Sequence, residues 1–103
     1  MAHDPGRDVP TIAMLRARRD EILEVASSHG ASNVRVFGSV ARGTATPRSD
    51  VDLLVDFGPG RTLVDHVRLW RDLEALLGNA VHVLSAAGLT DRDDDIRRDA
   101  LSL

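Results

Sequence analysis

From Thr11 onward apolar residues recur at helical spacing, with Ile12, Leu15, Ile22 and Ala26 on one face and Arg18, Arg19, Asp20 and Glu24 elsewhere. The spacing predicts one helix, capped at its start by Thr11 and stopped at Gly30. Asn33–Phe37 is short and β-branched and reads as a strand that ends at Gly38-Ser39. Val40-Ala41-Arg42 suits a brief helical turn before a polar loop over residues 43–49. Asp50–Phe57 then alternates as a second strand, with Val51, Leu53 and Val55 on one face and Asp50, Asp52, Leu54 and Asp56 on the other. Leu63, Val67, Trp70, Leu73 and Leu77 mark an amphipathic helix that closes at Gly78, and Ala80–Leu84 reads as a third strand. Thr90 can cap a last helix, with Asp91, Asp93, Asp94 and Asp95 early and Arg97 and Arg98 late, as the helix dipole favours. The order α-β-turn-β-α-β-α implies an α/β (α+β) domain, a small mixed sheet with helices packed on one side.

Bulk properties narrow the class. At 103 residues the chain has room for one core. The expected organisation is a loose leader over residues 1–10, polar and containing Pro5, Gly6 and Pro10, followed by a single domain over residues 11–103. A net charge of −3 provides no positive field for nucleic acid, so direct nucleic-acid binding is not expected. The absence of cysteine excludes disulfide scaffolds, thiolate zinc sites and cysteine nucleophiles. No apolar run reaches the ~20 residues of a membrane span, and the first residues lack a signal-peptide core, so the cytoplasm is the expected compartment. All thirteen basic residues are arginine, which points to a GC-rich, bacterial coding sequence.

Candidate chemistry concentrates between residues 38 and 52. Asp50 and Asp52 stand two apart on a strand, so their Cβ atoms lie about 6–7 Å apart on one face. Two carboxylates so placed can converge on hard cations such as magnesium, which completes its shell with water and substrate phosphates. Alone, the pair also describes solvated carboxylates at a strand edge. Gly38-Ser39, directly after a strand, can aim backbone amides at an anion, glycine permitting close approach and the Ser39 hydroxyl adding a donor. Alone, it also describes a plain strand-to-helix turn. Together they form a phosphate cradle on one strand and a cation clamp on the next, the two parts that nucleotidyl transfer requires.

Within Val36-Phe37-Gly38-Ser39-Val40-Ala41-Arg42-Gly43 and Ser49-Asp50-Val51-Asp52-Leu53-Leu54-Val55, the pattern Gly38-Ser39-x10-Asp50-x-Asp52 resembles the minimal nucleotidyltransferases of the DNA polymerase β superfamily. The resemblance covers roughly residues 11–100 and implies that fold. It implies an antitoxin encoded beside a HEPN-domain ribonuclease toxin, transferring AMP from ATP to a tyrosine of the toxin and so silencing it. Carried over, Gly38 and Ser39 hold the β- and γ-phosphates, and Asp50 and Asp52 bind magnesium or manganese. Arg42 and Arg48 flank the cradle and reach the triphosphate or the partner, or else are solvated surface arginines. A hetero-oligomer with the toxin follows from the same resemblance.

The chain departs from the pattern at one position. Active relatives carry a third carboxylate on the later strand, where this chain has His82 within Ala80-Val81-His82-Val83-Leu84. Asp56 does not replace it, lying about 13 Å along the strand from Asp52. His82 can serve as a neutral base, as a ligand that shifts metal preference towards manganese or another transition metal, or as the mark of a degenerate enzyme that neutralises its partner by binding alone. Of the other histidines, His29 falls at a helix end and His66 on an expected helix surface. Leu63, Trp70 and the tail Leu101-Ser102-Leu103 are the exposed apolar groups expected to meet a partner.

Overall fold

The computed structural model describes residues 9–103. Thr11 caps α1 (Ile12–Ala17), its hydroxyl accepting from the Met14 amide at 3.1 Å. The single helix expected up to Gly30 is two helices. Arg18 leaves helical geometry (φ −111°, ψ 20°) and α2 runs Arg19–Ser28. The step coincides with a tertiary contact that no local pattern encodes: the Arg18 guanidinium donates to the Leu76 carbonyl at 2.6 Å, at the negative end of a later helix. Leu15 and Ile22, on either side of the step, are both fully buried. Residues 1–8, most of the expected leader, lie outside the described residues, while Pro10 is fully buried.

Four strands form one sheet. β1 (Ala31–Phe37) passes through the short α3 (Gly38–Arg42) to β2 (Val51–Phe57), which pairs with it antiparallel. α4 (Leu63–Leu77) then crosses over to β3 (Val81–Ser85), parallel to β2, as a parallel pair demands a long connection. A 3-10 turn over Asp91–Asp93, capped by Thr90, leads into α5 (Asp94–Asp99). The chain closes with β4 (Leu101–Ser102), antiparallel to β1, giving the order β3-β2-β1-β4. The expectation for the tail holds at Leu101, which is exposed, and is revised at Leu103. Leu103 packs against the core and its amide donates to the Val34 carbonyl at 3.3 Å, so these residues complete the sheet.

The core lies where Val36, Leu53, Val55 and Val83 of the sheet meet Leu15, Ile22 and Ala26 of the first two helices and Leu69 and Leu73 of α4. Thus α1, α2 and α4 share one face of the mixed sheet, the α/β arrangement the element order implied. The amphipathic face of α4 is divided, and the expected exposure of Leu63 and Trp70 is observed. Leu69 and Leu73 are buried, whereas Leu63 (76% exposed), Val64 and Trp70 (39%) face outward. Trp70 follows the buried Leu69 in the same turn and so points to a different side of the helix from Leu69 and Leu73. His29 at the end of α2 pairs with Asp72 of α4 at 2.6 Å.

A β-bulge bends β1 before the site. The register shifts between Ser32 and Arg35, and Asn33 takes a left-handed backbone (φ 51°). Asn33 and Arg35 both donate to Asp56, at 2.9 and 2.8 Å. Asp56 is therefore a clasp between β1 and β2. No helix among the described residues is long and apolar enough to cross a membrane.

Candidate active site

The site is assembled where β1 hands over to α3. Phe37 is the last residue of β1 and stands directly across from Asp52 on β2. Gly38 opens α3 with φ 72°, a left-handed conformation that favours glycine. A methyl group at Gly38 would also collide with the Asp52 carboxylate. Only glycine meets both demands, and the backbone therefore approaches the carboxylate without a side chain between them. The first amides of α3 have no partner within the helix and are left to bind elsewhere. Gly43, again left-handed, ends α3, and the Thr44 amide returns to the Ser39 carbonyl at 2.9 Å.

The loop into β2 is braced by its own side chains. Ser49 Oγ accepts from the Thr46 amide at 2.8 Å, and Thr46 Oγ1 accepts from the Arg48 amide at 3.2 Å. This delivers Asp50 immediately before β2, which begins one residue later than expected, and the Val51 amide enters the sheet on the Ala80 carbonyl at 2.9 Å. Asp50 is exposed, while the Asp52 side chain keeps 22% of its surface. Burial pushes the Asp52 carboxyl above the usual carboxylate range; the charge of Asp50 pushes the same way, and His82 and Arg42 oppose it. A carboxylate held partly out of water beside a second one is a place of uncompensated negative potential.

His82 is the register partner of Asp52 across the parallel β2–β3 pair. Its Nδ1 lies 3.5 Å from Asp52 Oδ1, at the outer limit of a hydrogen bond, and its ring is mostly exposed. The Phe37 ring lies 6.5 Å from the His82 ring, so phenylalanine floors the site on one side of Asp52. Gly38 just past the end of β1, Asp52 on β2 and His82 on β3 thus stand in a row, with Asp50 on the approach to β2.

The flanking arginines diverge. Arg42 donates to Asp99 of α5 at 2.6 Å, tying α3 to the C-terminal helix, while its charge still reaches Asp52. Asp99 is 57 residues away and no local signal connects the two. The Arg48 side chain is exposed and makes no ion pair among the described residues.

Beyond His82 the site opens into a groove of about 470 Å³ between α4 and β3, lined by Asp50, Leu63, His66, Val67, Trp70 and His82 with Val81 and Val83. His66 was expected on a helix surface; instead its Nε2 donates to the Val83 carbonyl at 2.7 Å and its ring packs 5.3 Å from Phe57. Glu74 accepts from the Val81 amide at 3.0 Å. Both bonds go to the outer edge of β3, so side chains of α4 cover a strand edge that has no strand partner there. The i, i+4, i+7 spacing of Leu63, Val67 and Trp70 marked one helix face, and nothing in it distinguished a groove wall from a core stripe.

The mixed sheet that carries the Gly38-Ser39 turn and the two carboxylates is shared with known proteins. The family of nucleotidyltransferase domains matches residues 19–102, and the chain belongs to that family. It is similar to protein adenylyltransferase MntA of Thermococcus cleftensis, 39% identical over 75% of this chain and 75% of that one. It is also similar to a candidate protein adenylyltransferase of Methanocaldococcus jannaschii, 43% identical over 63% of this chain and 70% of the other. Among solved structures, one described as a candidate minimal nucleotidyltransferase shares 51% identity with a TM-score of 0.79, covering 90% of this chain and 96% of its own. A toxin–antitoxin structure with AMP-PNP has the same fold at 16% identity, with a TM-score of 0.69, over 81% of this chain and 69% of its own.

Proposed function

We propose that this chain transfers AMP from ATP to a tyrosine hydroxyl of a HEPN-domain ribonuclease toxin and so neutralises it, acting in the cytoplasm where ATP is available. The observation that supports the reading is the row Gly38–Asp52–His82, in which the backbone turn opening α3, a carboxylate of β2 and an imidazole of β3 stand side by side. The names of the relatives support protein adenylylation, and the toxin–antitoxin neighbour supports the fold that such a role uses.

Among the described residues no three histidine, aspartate or glutamate side chains converge as a closed metal cage. Two carboxylates with an excess of negative potential fit a divalent cation that takes its remaining oxygens from water and phosphate, which is magnesium's habit, with manganese as the alternative. Asp50 and Asp52 would hold that cation, which when bound neutralises triphosphate charge and polarises the α-phosphate. The chain's own groups do the rest. Amides of Gly38 and the Ser39 hydroxyl hold the β- and γ-phosphates. The acceptor oxygen bonds to the α-phosphorus, the bond to the α,β-bridging oxygen breaks, and pyrophosphate leaves from the cradle. The hydroxyl proton passes to the His82 imidazole. Arg48, exposed at the rim, is placed to meet the triphosphate or the partner, whereas Arg42 reaches either only by leaving Asp99.

The test combines the purified chain, the protein encoded beside it and α-labelled ATP, with magnesium and then with manganese. Label on a tyrosine of the neighbour, lost in Asp52→Asn, is expected; no label under either metal overturns transfer. A second reading, neutralisation by contact alone, is favoured by one observation: an imidazole occupies the position where active relatives carry a carboxylate. If Asp50→Asn with Asp52→Asn still neutralises the toxin in cells, the second reading holds.

A further inference from the structure

We propose that His66 and Glu74 of α4 are positioning residues: they pin β3 from its outer edge and so hold the His82 imidazole beside Asp52. The proposal rests on the transfer reading above, in which His82 takes the acceptor proton, and it adds what aims that imidazole.

The need for such a device comes from the topology. β3 is five residues long and lies at the end of the sheet order, with β2 as its one sheet neighbour. An edge strand held by a single ladder is free to twist and fray about it. The His82 ring does little to steady itself. It is mostly exposed, its Nδ1 reaches Asp52 Oδ1 only at 3.5 Å, and the Phe37 ring lies 6.5 Å away between centroids. Whatever fixes the direction of the ring must therefore act on the backbone that carries it.

The hydrogen bonds do this by alternation. The Val51 amide bonds to the Ala80 carbonyl, and in a parallel ladder every second residue turns its amide and carbonyl to the same neighbour. Residues 80, 82 and 84 thus face β2, while Val81 and Val83 turn their polar groups outward. Those outward groups are the ones α4 meets. Glu74 accepts from the Val81 amide at 3.0 Å, and His66 Nε2 donates to the Val83 carbonyl at 2.7 Å.

The two bonds fall one residue before and one residue after His82. His82 is bonded into the sheet on one side, and its neighbours are bonded to the helix on the other. With residues 81, 82 and 83 held from alternating sides, the pleat at His82 is fixed, and with it the direction of its Cα–Cβ bond. A carbonyl only accepts, so Nε2 of His66 carries its proton in this arrangement. The Phe57 ring, 5.3 Å from that of His66, keeps the donor in place. His66 and Glu74 are two turns apart on one side of α4, so both reach the same short strand.

Four variants of the full chain test the proposal. Glu74→Leu and His66→Phe remove one bond each, the second keeping a ring against Phe57, whereas Glu74→Gln and His66→Gln keep an acceptor and a donor. Transfer of label from α-labelled ATP to the protein encoded beside the chain is measured with magnesium, beside binding of a non-hydrolysable ATP analogue. Because a misplacement of ~1 Å costs about 10²-fold in rate, kcat is expected to fall about tenfold or more in each bond-breaking variant. Nucleotide affinity is expected to stay as in the wild type, and the glutamine variants to recover most of the rate. Glu74→Leu is then repeated in the His82→Ala background, where a residue that acts through His82 costs nothing further.

The same fall in both backgrounds, or a loss of nucleotide affinity that matches the loss in kcat, overturns the proposal by making the bonds merely structural. So does an unchanged kcat in both bond-breaking variants. NMR relaxation of the His82 ring gives a readout without turnover: its motion is expected to increase in Glu74→Leu and in His66→Phe, and an unchanged ring overturns the proposal. The two bonds are tested independently, so a variant that fails to fold leaves the other to decide. A wild-type chain that transfers no label sinks the transfer reading instead, and the ring motion still decides whether α4 positions His82.

Discussion

Gly38 and Asp52 touch with no room for a methyl group between them, although one opens α3 and the other lies on β2. On the proposed reading the phosphate cradle and the cation clamp are therefore one mechanical unit. Gly38→Ala is expected to displace the Asp52 carboxylate and to strain a left-handed backbone. Because a misplacement of ~1 Å costs about 10²-fold in rate, adenylylation should fall by about that factor while the protein still folds, with a lowered melting temperature. Label transfer and thermal denaturation, measured side by side, check it.

Asp52 is held where its charge is disfavoured, and this sets stability against activity. Burial raises its pKa in the fold, so the group favours folding below its unfolded pKa and that contribution is lost as pH rises through the folded value. At neutral pH the charged carboxylate weakens the metal-free fold. Asp52→Asn, melted in chelator at neutral pH, should therefore melt at or above the wild type, with its advantage vanishing as pH falls below the carboxylate range. The same variant should lose about 10³-fold or more in transfer, since it removes a cation ligand worth several kcal/mol in the transition state. A variant that is both less stable and inactive would contradict the burial explanation.

His82 separates the two functional readings. As the proton acceptor, its loss in His82→Ala should lower transfer about 10²-fold or more while nucleotide affinity stays within a few fold. Under neutralisation by contact, His82→Ala changes nothing measurable, and His82→Asp switches on transfer that the natural chain lacks. Rates with magnesium for wild type and both variants, together with nucleotide titrations, distinguish the outcomes.

The outward turn of α4 predicts a sharp contrast along one helix. Leu69→Ala removes a fully buried side chain and should cost about 2–5 kcal/mol. Leu63→Ala, only six residues earlier and mostly exposed, should stay within ~0.5 kcal/mol. Denaturant titration of both variants is sufficient.

The link between Arg42 and Asp99 is expected to be structural and weak. Arg42 is half-exposed, so solvent screens the pair, and Arg42→Ala should cost no more than about 1 kcal/mol. If Arg42 leaves Asp99 to grip the triphosphate, Arg42→Ala weakens nucleotide binding and Asp99→Ala strengthens it. Calorimetric titration with the ATP analogue reads both.

Much of this protein was legible in the chain as written, for a physical reason. Elements declare themselves through local periodicity, so β1, β2, β3, α4 and the Thr90-capped turn fell within a residue or two of their expected bounds. The Gly38-Ser39 turn and the Asp50-x-Asp52 spacing were visible because each is built by neighbouring residues, with left-handed glycine and the strand period doing the positioning. Whatever depended on distant residues was not legible. The break at Arg18 answers to a carbonyl of α4, the tail becomes β4 because β1 offers it an edge, and Arg42 turns to Asp99 across 57 residues. A helix face shows which residues are apolar but not what will cover them: Leu63 and Trp70 were expected to be exposed, and the tertiary structure set them with Val67 as the wall of a groove. The spacing within one strand specified two carboxylates on one face; only the pairing of β2 with β3, set by packing of the whole sheet, put His82 beside Asp52 and the groove on the far side of both.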